Sequence, residues 1–206
     1  MIGIVDYGCG NLKSVENAFL KLGYQVLILD KPELLDQNKE IKGVVLPGVG
    51  AFADAMAILT RAGWVYHLQK YVWEGNPFLG ICLGMQLIFE IGEEHGRHKG
   101  LGFLQGRVVK FPAGLKIPHM GWNSVKILKP NLLCTDVPND SYFYFVHSYY
   151  AEPEDSSCIL ATSTYGVEFP ALVGQGNVWG TQFHPEKSSR WGLTVLNNFG
   201  KWAISR

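Results

Sequence analysis

A cysteine between two glycines has the setting in this chain that most favours nucleophilic chemistry. The segment Gly80-Ile81-Cys82-Leu83-Gly84 follows an apolar run at 77–79 and precedes a helix-like run at 85–90. Small residues two before and two after a nucleophile permit the sharp strand-to-helix turn that presents it at the rim of a sheet. The positive end of the following helix would also favour the thiolate. We therefore predict that Cys82 is a nucleophile.

A thiolate nucleophile needs a base, and the candidate lies near the C-terminus. The stretch 177–183 predicts a strand that runs directly into His184-Pro185-Glu186. Residues two apart in extended chain share a face, and Pro185 biases His184 toward extended backbone. Glu186 can then orient the imidazole of His184. Cys82, His184 and Glu186 are thus the predicted catalytic residues.

Other patterns in the chain suggest different chemistry but are weaker. Cys9 stands between Gly8 and Gly10 after a strand, yet it lacks the elbow spacing and no histidine motif accompanies it. The same glycines suggest dinucleotide binding, but Lys13 occupies the third glycine position of that fingerprint. The four cysteines form no C-x-x-C pair and have no histidine at metal-ligand spacing, so we expect no structural zinc and no disulfide framework.

Apolar strands alternate with helical segments in the part of the chain that must position Cys82. We predict strands at 2–6, 25–30, 43–46 and 78–81, and helices at about 12–22 and from 51 to about 73. This alternation is typical of an α/β fold with a doubly wound, mostly parallel sheet and helices on both faces. Shorter runs between 101 and 173, such as 107–111 and 142–149, predict added antiparallel strands. A last helix, at about 191–202, closes the chain.

Composition limits the classes of partner and compartment. A length of 206 residues with 47% hydrophobic residues suits a single domain, which we place at 1–206. The 18 basic and 18 acidic residues give zero net charge, so we expect neither nucleic acid nor an anionic membrane as a partner. The N-terminus has no secretory pattern and no apolar run approaches a membrane span, so we expect a cytoplasmic protein.

Four motifs together carry a family resemblance that covers essentially the whole chain. Residues 80–86 and 182–186 resemble the class I glutamine amidotransferase domain, and the order Cys, His, Glu matches the triad of that family. Residues 6–11 and 118–123 resemble its branch of glutaminase subunits, which serve imidazole glycerol phosphate synthesis in histidine biosynthesis. The resemblance implies hydrolysis of glutamine to glutamate and ammonia through a γ-glutamyl thioester on Cys82. No metal or organic cofactor is expected.

The turn after the third predicted strand is the candidate for the oxyanion site. Gly48, Val49 and Gly50 lie in this turn, and glycines there let backbone N–H groups turn toward a nucleophile. The N–H of Leu83, just after Cys82, is the second candidate donor. The resemblance implies that the peptide at this turn reorients before the oxyanion site is complete, and that resting activity is low. It also implies that glutamine is held by a set of five residues, which are Gly50, Gln86, Glu94, Ser148 and Tyr149.

After these motifs are assigned, the chain contains no P-loop or other phosphate-binding fingerprint for an acceptor. Free ammonia would be protonated in water and lose its nucleophilicity, so a subunit that delivers ammonia directly is the sensible role. The resemblance implies a heterodimer with a cyclase subunit of (β/α)8 barrel fold, which makes imidazole glycerol phosphate and aminoimidazole carboxamide ribonucleotide. The expected docking face comprises Asn11, Pro118, His119, Met120, Trp122 and Lys187.

Three alternatives stay open at this point. A paralogous amidotransferase would feed another acceptor, for example in a surface-sugar pathway. A stand-alone γ-glutamyl hydrolase would be fully active without a partner. A non-catalytic subunit with the same fold is disfavoured because Cys82, His184 and Glu186 are all present.

Overall fold

The alternation of strands and helices in the first 82 residues builds the parallel half of a large sheet. The computed structural model describes all 206 residues. The strands are β1 (Ile2–Val5), β2 (Val26–Leu29), β3 (Gly43–Gly48), β4 (Phe78–Cys82), β5 (Phe89–Gly92), β6 (His98–Lys99), β7 (Leu104–Lys110), β8 (His119–Ile127), β9 (Ser141–His147), β10 (Tyr149–Pro153), β11 (Ile159–Tyr165), β12 (Val167–Gln175) and β13 (Val178–Thr181). The helices are α1 (Leu12–Lys21), α2 (Glu33–Gln37), α3 (Phe52–Arg61), α4 (Trp64–Trp73), α5 (Leu83–Leu87) and α6 (Ser189–Ile204).

The strands form two sheets. A nine-stranded sheet has the order β2-β1-β3-β4-β13-β12-β11-β8-β9, and a four-stranded sheet has the order β10-β7-β5-β6. Strands β2, β1, β3, β4 and β13 are parallel, whereas β12, β11, β8 and β9 extend the large sheet with antiparallel pairs. The predicted α/β sheet with antiparallel additions is therefore confirmed.

Side chains of the parallel strands alternate between two apolar cores, so helices must cover both faces of the sheet. Ile2 and Ile4 of β1 join a core with Phe19 of α1 and Phe199 of α6. Val44 and Leu46 of β3 point the other way, into a core that contains residues of α3, α4 and α5. The carboxyl edge of the parallel strands stays open between these layers, and β4 reaches it at Cys82.

Several local predictions were wrong at element boundaries. The single helix expected from 51 to about 73 is two helices, because Gly63 between them adopts φ 80°. The helix-like run at 85–90 ends at Leu87, and Phe89 begins β5 because pairing with β6 and β7 overrides local periodicity. The run 142–149 divides between two sheets on either side of Ser148. Helix α2 had not been predicted.

Helices of the structure are all too short or too polar to cross a membrane.

Candidate active site

The turn at Cys82 is strained and crowded, as the glycine spacing predicts. Cys82 adopts φ 54° and ψ −107° between β4 and α5, a conformation that L-residues rarely take. A Cβ on Gly80 would lie 2.5 Å from the carbonyl oxygen of Gly84, and a Cβ on Gly84 would overlap the carbonyl of Leu46. Only glycine fits at either position, and the turn places Cys82 at the edge of the sheet. Helix α5 contains just five residues, so the extended helix expected after Cys82 is absent.

Strand order brings the histidine to the cysteine. β13 pairs in parallel with β4, in a register that sets Thr181 beside Ile81, so the chain after β13 passes the end of β4. His184 Nδ1 lies 2.8 Å from Glu186 Oε1, with both side chains at most 2% exposed. The His184 backbone is fixed as well, because its N–H donates to the Tyr144 carbonyl at 2.9 Å. The predicted pairing of His184 with Glu186 is present in the structure.

The hydrogen-bond partners of His184 show which of its two ring nitrogens can accept a proton. A carboxylate at Nδ1 makes that nitrogen the donor, which leaves His184 Nε2 as the nitrogen able to accept a proton. Nε2 has no hydrogen-bond partner in this state. The Cys82 thiol instead donates to the Val146 carbonyl at 3.7 Å, and Gln182 Nε2 lies 3.9 Å from the sulfur.

Electrostatics at His184 favour the imidazolium. Burial lowers the pKa of His184, but the negative charges of the Cys82 thiolate and the Glu186 carboxylate outweigh burial, so the pKa lies above its ordinary value. A proton that leaves Cys82 is therefore well held by His184. This arrangement suits a thiolate nucleophile with a general acid–base partner.

A cavity of about 240 Å³ opens beside Cys82. All five residues expected to hold glutamine line it, namely Gly50, Gln86, Glu94, Ser148 and Tyr149. Its remaining lining residues are Val49, Cys82, Leu83, Pro118, Val146 and His147. A larger cavity of about 580 Å³, near Trp73 and Arg97, contains none of the predicted site residues. The smaller cavity is therefore the one that contains both the predicted nucleophile and the residues expected to hold glutamine.

Two of the predicted glutamine-binding side chains also hold the walls of the cavity. Gln86 Nε2 donates to the Tyr149 carbonyl at 2.9 Å and to Gln182 Oε1 at 3.2 Å. Glu94 Oε2 accepts a hydrogen bond of 2.7 Å from the N–H of Phe52, the first residue of α3. Each of these side chains keeps a further oxygen for other contacts.

The proposed oxyanion turn has donors that are not used elsewhere. Gly48 pairs with Cys82 in the register of β3 and β4, so Val49 and Gly50 follow at the level of the nucleophile. No hydrogen bond within the chain is donated by the N–H of Val49 or Gly50. Gly50 has φ 104°, a value that glycine tolerates without a Cβ penalty. Leu83 lines the same cavity from the opposite side of Cys82.

Four of the six residues of the expected docking face are exposed. Met120 is 66% exposed and Trp122 is 53% exposed on one face of β8, and Pro118 and Lys187 are exposed near them. Asn11 is half-buried. His119 is 4% exposed, so the prediction that it contacts a partner is wrong. Alternation along β8 turns His119 inward, where it stacks on the rings of Phe145 and Tyr165.

Sequence reasoning missed several residues around the site. Tyr144 lies between two residues of the expected docking face, since Trp122 packs edge-on against its ring at 6.2 Å and Lys187 Nζ lies 6.0 Å from that ring. Gln182 is fully buried beside Cys82. The period of two that relates His184 to Glu186 also relates Gln182 to His184, so a signal for Gln182 existed in the sequence. Val146 and His147 had no comparable signal.

Comparison of the sequence with known proteins gave matches over nearly its whole length. The family model described as "Glutamine amidotransferase class-I" matches residues 3–201. The chain is 62% identical over 202 residues to the imidazole glycerol phosphate synthase subunit HisH of Desulfitobacterium hafniense, covering 98% of this chain and 94% of the relative. It is 50% identical over 200 residues to the HisH subunit of Moorella thermoacetica, covering 97% and 94% of the two chains.

Solved structures share the fold at low sequence identity. A crystal structure of a glutamine amidotransferase superposes with a TM-score of 0.77 at 20% identity, covering 98% of both chains. The structure of PurLQS from Thermotoga maritima gives a TM-score of 0.76 at 19% identity, covering 98% of this chain and 97% of the other. These two structures support the fold alone.

Proposed function

Because the chain belongs to the class I glutamine amidotransferase family, and within it to the HisH subunits of imidazole glycerol phosphate synthase, we propose that Cys82, His184 and Glu186 form its catalytic triad. Family membership assigns to the chain the glutaminase activity of that synthase in histidine biosynthesis. The observation that carries the proposal is the strained Cys82 turn beside a cavity, with the buried His184–Glu186 pair next to it.

The first half-reaction cleaves the side-chain amide of glutamine. His184 Nε2 takes the proton of Cys82, and the thiolate sulfur attacks the carboxamide carbon. The N–H of Leu83 and the free N–H groups of Val49 and Gly50 stabilise the oxyanion of the tetrahedral intermediate. When the C–N bond breaks, the His184 imidazolium protonates the leaving nitrogen, which departs as ammonia. A γ-glutamyl thioester on Cys82 remains.

The second half-reaction restores the enzyme. His184 Nε2 takes a proton from water, and the resulting hydroxide attacks the thioester carbon. The C–S bond then breaks, the imidazolium returns its proton to the sulfur, and glutamate leaves. Glu186 holds the imidazole in one orientation and stabilises its charged form throughout. Every proton in this scheme passes through one nitrogen, His184 Nε2.

Glutamine enters the cavity with its amide toward Cys82. The second oxygen of Glu94 supplies the negative charge that an α-ammonium group requires. Gly50, Gln86, Ser148 and Tyr149 line the rest of the space and would provide polar contacts to the amino acid. The reorientation of the turn at Gly48–Gly50 remains part of this proposal.

The chain acts with a partner subunit, since its relatives are named as subunits of a synthase. We propose that this partner is a cyclase with a (β/α)8 barrel and that it docks on the face formed by Pro118, Met120, Trp122, Tyr144 and Lys187. Aromatic and methionine side chains are enriched in the cores of such interfaces. This face adjoins the cavity through Pro118, so ammonia has a short route to the partner. We further propose that residues 1–206 act as one domain in the cytoplasm.

The experiment measures glutamate release from glutamine by the purified chain, alone and with an added cyclase subunit and its phosphoribulosyl-formimino acceptor. We expect low activity alone and strong stimulation by the partner and acceptor together. Full activity of the isolated chain would favour an independent hydrolase. Stimulation only by a partner from another pathway would favour a paralogous amidotransferase.

A pair of tryptophan variants locates the docking face. Trp122→Ala should weaken stimulation, because it removes an aromatic side chain from the proposed interface. Trp73→Ala is the matched control, since Trp73 is 75% exposed on α4, outside the proposed docking face. Equal loss in both variants would argue against this docking face.

A further inference from the structure

Two buried histidines that the mechanism does not use are hydrogen-bonded to each other at the cavity wall. His119 and His147 lie opposite each other in the antiparallel register of β8 and β9. His119 Nδ1 is 3.0 Å from His147 Nε2, and the two residues are 4% and 5% exposed. His147 also lines the cavity beside Cys82. The imidazoles therefore occupy a protected position next to the proposed substrate.

The neighbours of the two rings fix where each proton lies. His147 Nδ1 is 2.8 Å from the Tyr149 carbonyl, which can only accept, so Nδ1 carries the proton. His147 Nε2 must then accept, and His119 Nδ1–H is its donor. His119 Nε2 is left to accept from Asn123 Nδ2 at 3.3 Å. The Asn123 amide is oriented for this role, because its Oδ1 accepts from the N–H of Ser124.

All four ring nitrogens thus have partners while both rings stay neutral. Burial lowers the pKa of His119 to about 4. Burial is the main cause that lowers the pKa of His147 to about 3, against the opposing effect of its hydrogen bond to Tyr149. The pair is a fixed hydrogen-bond chain rather than a charged group at neutral pH.

The hydrogen-bond chain from Asn123 through His119 and His147 ends at the carbonyl of Tyr149, in the backbone that forms the cavity wall. The polypeptide leaves the nine-stranded sheet at His147 and enters the four-stranded sheet at Tyr149, with Ser148 as the single residue between. The Tyr149 carbonyl accepts both from His147 Nδ1 and from Gln86 Nε2 at 2.9 Å. The Ser148 carbonyl accepts from the N–H of Phe111 at 3.1 Å. Hydrogen bonds from β9, from α5 and from the residue after β7 therefore set the position of Ser148 and Tyr149.

We propose that His147, oriented by His119, is a positioning residue for glutamine. Its Nδ1–H fixes the Tyr149 carbonyl, and so fixes the crossing between the sheets at which Ser148 and Tyr149 face the substrate. This proposal rests on the proposed function, since it concerns the binding of the same glutamine. His119 acts through His147 and touches no substrate.

Two substitutions of His147 separate positioning from simple packing. His147→Asn retains an amide N–H close to the position of Nδ1, whereas His147→Phe keeps a ring but offers no donor. We expect His147→Phe to raise the KM for glutamine about tenfold, the effect of losing one buried hydrogen bond. His147→Asn should keep the KM within about threefold of the original chain. Alkylation of Cys82 by iodoacetamide, which does not resemble glutamine, should proceed at the same rate in both variants.

A merely structural role predicts a different pattern. Both variants would then lose kcat and iodoacetamide reactivity in proportion to the unfolded fraction, with unchanged KM, and that result would overturn the proposal. An unchanged KM in a folded His147→Phe would overturn it as well.

Nitrogen NMR of the imidazoles tests the proposal even where a variant does not fold. In the unmodified chain, both histidines should be neutral with the proton on Nδ1, which is the minor tautomer of free histidine. A proton on His147 Nε2 would contradict the hydrogen bond to Tyr149 and overturn the proposal.

Failure of this proposal can be told apart from failure of the proposed function. Absence of Cys82-dependent glutamate release in the unmodified chain would sink the function. The affinity for glutamine, measured in a Cys82→Ala background with and without His147→Phe, would still decide the positioning role. Equal affinities there would overturn it, and an approximately tenfold difference would support it.

Discussion

Cys82 and Cys9 stand in similar local sequences, and the fold gives them different neighbours. Cys82 ends one strand of the parallel half of the sheet, Cys9 follows another, and both have glycines close by. β4, which ends at Cys82, lies between β3 and β13, so His184 emerges beside it. β1, which precedes Cys9, lies between β2 and β3 and has no such neighbour. Strand order, rather than the local motif, therefore decides which cysteine meets a base.

The glycines around the two cysteines do different work. Gly84 is needed for close approach, since a Cβ there would overlap the Leu46 carbonyl. Gly8 has open space around its Cα and is needed for its φ of 87°. A glycine beside a cysteine can thus indicate either a packed elbow or an ordinary turn. The spacing on both sides of the cysteine distinguishes the two cases.

Replacing each cysteine by alanine tests this contrast most directly. Cys82→Ala should lower glutaminase kcat by at least about 10⁴-fold, because no thioester can form without the sulfur. Cys9→Ala should leave kcat within about twofold, since Cys9 lies outside the proposed site. Glutamate release under saturating glutamine, in the presence of the partner subunit, measures both. Activity that survives Cys82→Ala would contradict the mechanism, and loss of activity in Cys9→Ala would move the nucleophile to the other loop.

Removing the charge of Glu186 tests the His184–Glu186 pair, which lies beside Cys82 and has no counterpart beside Cys9. Glu186→Gln should lower kcat by about 10²-fold or more, because the imidazolium loses its buried carboxylate partner. The carboxylate raises the pKa of His184, so the substitution should lower that pKa. In the first half-reaction the His184 imidazolium protonates the leaving nitrogen, so the pH above which His184 loses its proton, and with it kcat/KM, should move to lower values. A pH profile of kcat/KM measures the shift, and an unchanged alkaline limb would contradict this role for Glu186.

The strained turn at Cys82 and the His184–Glu186 pair could be predicted because their signals are local. The glycine spacing around Cys82 and the extended backbone imposed by Pro185 each act within a few residues. The α/β class followed from alternation that the two cores then enforce. These features need no knowledge of distant contacts.

The errors and omissions arose where distant contacts decide. His119 was assigned to the surface because the sequence cannot tell which face of β8 is covered, and the aromatic core took that face. Val146 and His147 reach the cavity through the register of β8 and β9. The end of the helix at Leu87 depends on pairing of β5 with β7, which lies more than ten residues further along.

Replacing Gly84 and Gly8 in turn by alanine tests the different roles of these two glycines. Gly84→Ala should lower the free energy of unfolding by about 3 kcal/mol or more, because the new Cβ overlaps backbone that cannot move without shifting β3. Gly8→Ala should cost about 1 kcal/mol, the price of a left-handed conformation in open space. Urea unfolding measures both values. A larger loss in Gly8→Ala than in Gly84→Ala would contradict the distinction between packing and turn glycines.

Acid should destabilise the Cys82 side of the molecule through His119 and His147, whereas residues 6–13 around Cys9 contain no histidine. In the folded chain the pKa of His119 is lowered to about 4 and that of His147 to about 3, so the unfolded chain takes up protons first as pH falls below about 6.5. Stability from the pair is complete above that pH and declines toward the folded values, by about 1 kcal/mol per histidine between pH 6.5 and 5.5. His184, which faces His147, has a raised pKa and acts in the opposite sense above pH 6.5. Urea unfolding at pH 6.5 and 5.5 should therefore show a smaller loss of unfolding free energy in His119→Phe than in the unmodified chain, because the variant lacks one of the two histidines. Carboxylates contribute equally to both chains. Identical losses in the two chains would mean that folding does not lower the pKa of His119.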